Sequence, residues 1–193
     1  LVTYRDKTVP VQLLKTQLRA PDAEIVNRSL NNLEYEMASA FRQAITLKKP
    51  RIAFLEGQGE LSGMQIADMT NLLKEQYDVS TVRIDEKLDA LSIRPEKMNF
   101  RVNNYDALII AKPDSTFAGR DRYVIDQFIM NGGKVLWLID AMNANLDSLR
   151  TNQVSMARPY DLDLDDQLFA YGVRLNKDLL LDRNCAPIEI YTQ

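Results

Sequence analysis

The chain has no histidine and a single cysteine. Without imidazole there is no Ser-His-Asp or Cys-His activation of a nucleophile, no histidine general base, and none of the commonest zinc ligand. A lone thiol, Cys185, excludes an internal disulfide, which suits a reducing compartment or an extracytoplasmic domain that does without one. No apolar run approaches the roughly 18–20 residues needed to span a bilayer, and no signal-peptide pattern opens the chain. The first residue is Leu1, which suggests a fragment of a longer protein, so a missing anchor or signal here says nothing of the parent. Basic blocks are missing too: the net charge is −3, so a phosphate-tracking nucleic-acid surface is disfavoured.

What is present is an ordinary folding composition. The 193 residues are 46% hydrophobic and 26% charged, enough for one domain with a sizeable core. The most informative stretch is 105–140. Two apolar runs, ALIIA at 107–111 and VLWLI at 135–139, flank an amphipathic segment that stops at Asn131-Gly132-Gly133. Continuous apolar runs read as strands buried on both faces of a parallel sheet. The segment between them reads as the crossover helix of a right-handed βαβ unit.

The rest of the chain extends this pattern. Residues 1–20 read as a strand or hairpin turning at Asp6-Lys7. A long helix follows, N-capped by Asp22, with Ile25, Leu30, Leu33, Met37, Ala40, Phe41 and Ala44 on one face. Residues 51–55 (RIAFL) form a buried strand, Ser62 to Gln65 a capping box, and 78–85 an alternating strand. A short helix is expected near 88–91. Beyond Asp140 come a polar connector, an extended stretch at 154–160, an acidic-capped helix at 161–171 closed by Gly172, and strands at 173–181 and 187–191. The order places the chain in the α/β class, as a three-layer Rossmann/flavodoxin-like sandwich with a mostly parallel sheet. It reads as a single α/β domain over 1–193: an N-terminal hairpin at 1–20, a core at 21–140, and a C-terminal extension at 141–193 packed on it.

In such sheets ligands bind outside the carboxyl ends of the strands. The residues there are Glu56, Gly57, Gln58, Gly59 and Glu60 after one strand, Pro113, Asp114 and Ser115 after the next, and Asp140 and Asn143 after the last. They form the candidate binding edge, and none is a nucleophile in an elbow. The dinucleotide fingerprint G-x-G-x-x-G fails because Ser62 stands where the third glycine belongs. A calcium loop opening at Asp161 fails twice, with Asp166 at its sixth position and Gly172 at its twelfth. Cys185 has no histidine to activate it. Carboxylate pairs such as Glu56 with Asp140 keep acid–base hydrolysis open as an alternative. No cofactor and no metal are expected.

The run YDALIIAKP…DRYVIDQFIMNGGKVLWLID resembles the gliding-motility GldG family, as do NLEYEMASAFRQAI (32–45), IAFLEGQGE (52–60) and DLDLDDQLFAYGVRLNKDLLLDRNCAPI (161–188). The likeness extends from about residue 25 onward. It implies an auxiliary, substrate-binding-like component of a bacterial ABC-type transport system, with a permease and an ATPase as partners. It also implies a periplasmic location on the inner membrane, with anchors outside this fragment. The family's fold resembles that of class I glutamine amidotransferases without their catalytic cysteine and histidine, so no catalytic residue carries over. The expected role is non-catalytic binding of a protein, an envelope component or a second copy. A small-molecule or glycan receptor using the same edge is the alternative.

Overall fold

The computed structural model describes residues 1–14, 21–96, 99–144, 156–180 and 184. Cys185 and the strand expected at 187–191 lie outside them, as do 145–155 of the polar connector and extended stretch. The chain falls into two compact units, Leu1–Pro50 with Asn71–Asp78, and Arg51–Thr70 with Val79–Gln193.

The first unit opens with an antiparallel hairpin of β1 (Val2–Tyr4) and β2 (Lys7–Val9). Its turn is Arg5-Asp6, one residue earlier than expected, with Arg5 at φ 52. Helix α1 (Asp22–Ile45) follows. Pro21, not Asp22, is its N-cap, and no side chain caps it. Proline holds an extended conformation just before a helix, and Asp22 and Glu24 instead offset the dipole from inside the first turn. The buried face is made of small residues: Ala40 and Ala44 pack with Val9. Leu30 and Phe41, expected inside, are 62% and 52% exposed.

The second unit is built on a four-stranded parallel sheet flanked by helices, a Rossmann/flavodoxin-like arrangement. Strand β3 (Arg51–Glu56) leads through a 3-10 turn, Gly63–Ile66, into α2 (Ala67–Lys74) and then β4 (Asp78–Arg83). The Gln65 side chain accepts the Ser62 amide at 3.3 Å, the return arm of the expected capping box. Instead of a helix at 88–91 there is a turn, followed by a ribbon of β5 (Ser92–Ile93) and β6 (Val102–Asn103). Pro95 and the polar composition there favour turns over helix. Next comes the βαβ unit: β7 (Ala107–Ala111), α3 (Gly119–Met130) and β8 (Lys134–Leu138), with β7 parallel to both β3 and β8. The strand order is β4-β3-β7-β8.

The core follows from strand alternation. Leu108 and Ile110 face Val124, Ile125 and Phe128 of α3, while Ile109 and Ala111 are buried on the other face of β7. Each of these side chains larger than alanine contributes about 1.5–3 kcal/mol on burial. Strand β8 departs from expectation. Among the described strands it lies at the edge of the sheet, and Leu136 and Leu138 are 45% and 42% exposed. Past it, β9 (Met142–Asn143) pairs with β10 (Arg158–Pro159), and α4 (Asp165–Ala170) ends at Gly172, whose φ of 85 suits a C-terminal glycine. Asp161 does not cap α4; Leu164 holds the N-cap position. Residues 173–180 carry no strand.

Candidate functional site

The strand order has a switch point. From β3 the chain steps to β4 on one side and later to β7 and β8 on the other. In doubly wound sheets the crevice at such a point, at the carboxyl ends, is where ligands sit. Here it lies between β3 and β7, where the candidate residues 57–60 and 113–115 meet.

The two loops are stitched together. The amides of Asp114 and Ser115 both donate to the Gln58 carbonyl, at 3.0 and 3.1 Å, and the Leu61 amide donates to the Ala111 carbonyl at 2.9 Å. Gly59 has φ +74, and a Cβ there would overlap the Asp114 carboxylate. Glycine is thus required both by conformation and by close approach. The Ser115 hydroxyl donates to Asp114 at 2.6 Å. Pro113 is fully buried, so its ring supports the loop rather than offering a contact.

Two of the predicted residues point inward. Gln58 and Glu60 are each only 8% exposed. The Glu60 carboxylate accepts the Gln58 amide at 2.7 Å. Burial pushes its pKa up; amides of Glu60, Gln58 and Gly57 partly oppose this, and the Asp114 charge adds to it. The Gln58 side chain donates to Asp121 at 2.9 Å, and the other Asp121 oxygen accepts the Glu86 amide at 2.8 Å. Among the described residues, Gln58 Oε1 and Glu60 Oε1 are buried without a hydrogen-bond partner. Asp121 was missed by sequence reasoning. A carboxylate in a first helical turn reads as a dipole partner, and only the fold shows it buried, joining the ends of β3 and β4.

The open part of the edge lies on the β3–β4 side. A crevice of about 240 Å³ is lined by Glu56, Gly57, Gly59, Glu60, Ser62 and Arg83. On the β7 side the chain covers itself: Thr116 donates to the Asp161 carbonyl at 2.7 Å and the Phe117 amide to that of Leu162 at 3.1 Å. Asp140 pairs with Lys112 at 3.3 Å. Both groups are about half exposed, so the pair is worth at most about 1 kcal/mol. Glu56 therefore shares its crevice with Glu60, while Asp140 is engaged elsewhere. Asn143 lies in the β9–β10 ribbon opposite Arg158.

Two carboxylates of the acidic run 161–166 are also taken up. Asp163 pairs with Arg122 at 2.7 Å and Asp165 with Lys177 at 2.8 Å. Among the described residues no three His, Cys, Asp or Glu side chains come together in a way that would hold a metal. None of the described helices is long and apolar enough to cross a membrane.

The search of curated proteins finds no match to this chain. A protein-family model does match, over residues 49–193, which include the whole stitched edge and the βαβ unit. That model describes an ABC-type uncharacterized transport system, and the chain belongs to this family of auxiliary transport components.

Proposed function

We propose that the chain is a non-catalytic, GldG-like accessory domain on the periplasmic side of the inner membrane, held there by anchors outside this segment. It docks on the permease and ATPase assembly of its transport system, or on an envelope component, through the crevice between Glu56 and Arg83. Relatives of GldG type link such complexes to gliding motility. The observation that carries this reading is the pre-formed edge. Gln58, Gly59 and Asp114 hold the loop in one shape before any partner arrives, which lowers the ordering cost of binding. The crevice, about 240 Å³, is smaller than the roughly 300–1,000 Å³ of pockets that enclose drug-sized ligands. That favours a macromolecular partner over a small-molecule receptor.

The test is co-purification of the full transport complex from membranes with the charge reversals Glu56→Lys and Arg83→Glu. Both residues line the crevice, outside the core. The expected result is loss of the domain from the complex with its melting temperature unchanged. Undiminished association of both variants would sink the proposal.

A further inference from the structure

The first unit contains a further cavity, to which Lys7, Arg42, Gln43 and Thr46 contribute from before the matched segment 49–193. It measures about 180 Å³ and lies where the ends of α1 and α2 come together, with Pro50 and Tyr77 in its lining. Helix C-termini present unsatisfied carbonyls and partial negative charge, and two lysines answer them. The Lys7 ammonium donates to the carbonyls of Gln43 and Thr46, at 2.6 and 3.1 Å. The Lys49 ammonium donates to the carbonyl of Lys74 at 2.6 Å.

An ammonium has three protons to donate, so these caps leave one on Lys7 and two on Lys49. The Arg42 guanidinium, also in the lining, has no partner among the described residues. Among the described residues, Glu75 is the only carboxylate in the lining. The two helix ends together supply about one further negative charge. Three cations therefore outweigh the negative groups, and the cavity stays net positive.

The geometry points to an oxyanion-binding site in which Arg42 and Lys49, with the spare Lys7 proton, hold a phosphate or carboxylate group while Tyr77 and Pro50 pack on its carrier. Lysines fixed in place by their capping bonds are pre-organised donors, and a guanidinium matches the two-oxygen face of either anion. The volume admits a group smaller than a drug-sized ligand. This site is separate from the sheet edge and does not depend on the docking reading above.

The experiment is an amide NMR titration of the full chain with inorganic phosphate and, separately, with acetate. Both are run at low ionic strength against a chloride control, since exposed charge interactions are screened by salt. Saturable shifts of the Thr46, Lys49 and Tyr77 amides are expected. Saturation by phosphate alone identifies a phosphate group as the ligand, and saturation by acetate as well identifies a carboxylate. Arg42→Gln, which removes no capping bond, is expected to weaken binding about tenfold or more with the fold intact. Lys49→Gln should weaken it too, while also lowering the melting temperature. Shifts no larger than those in chloride, or equal affinity in Arg42→Gln, would overturn the assignment.

Discussion

Glu60 shows how burial gives one residue a pH dependence. Its folded-state pKa lies above the ordinary value of 4.5, first because of burial and with a contribution from Asp114. The folded chain thus holds this proton at pH values where the unfolded chain has lost it. Its contribution to stability is complete below 4.5 and disappears as pH rises through the raised value. The variant Glu60→Gln should gain stability relative to the parent as pH increases over that window. Urea denaturation of both proteins from about pH 4 to about pH 8 measures it, and a constant difference across the range would contradict the assignment. Some of this was legible beforehand. The loop 56–60 and Asp114 are visible as residues past strand ends, but the inward turn of Gln58 and Glu60 is set by their bonds to one another and to Asp121. That partner is 63 positions away from Gln58, beyond the reach of any local pattern.

Among the described helices, α3 buries the most large apolar side chains, Val124, Ile125 and Phe128. Phe128 is fully buried against β7, and Gly133 lies so close to its ring that a Cβ there would overlap it. Truncating Phe128 to Ala should cost about 3–5 kcal/mol of unfolding free energy, read from urea or thermal denaturation. A loss below about 1 kcal/mol would mean the sheet and helix repack around the gap. This βαβ unit was the best-predicted part of the chain, because its apolar runs and its Asn-Gly-Gly stop are local signals. Strand β8 shows where periodicity fails. Its apolar run predicts burial on both faces, yet position in the sheet decides, and an edge strand leaves Leu136 and Leu138 open. For α1, spacing located the helix but not its buried face. The hairpin's contact selects Ala40 and Ala44, where small residues permit close approach, over the larger Leu30 and Phe41. The β5–β6 ribbon was missed because strands of two residues have no period to detect.

At the scale of the whole molecule, the two units differ in how much they bury. One has a core of Val9, Ala40 and Ala44, while among the described residues the other buries eighteen hydrophobic side chains around β3, β7 and α3. Local opening free energies follow such differences. Native-state hydrogen exchange should therefore find the amides of Phe54, Leu108 and Ile110 slowest, near the global limit, and those of the Val2–Val9 hairpin orders of magnitude faster. Equal protection in both would show that the units open as one. The stitched strand ends carry a mechanical consequence. Because one carbonyl, that of Gln58, receives two amides from the neighbouring loop, residues 57–60 and 113–115 cannot be displaced independently. A pull on either loop is shared by both, and through Asp121 it reaches the start of α3 and the turn after β4. The edge proposed to meet a partner is thus also the transmission of the domain, able to pass a load from one strand end to the next without any group changing its chemistry.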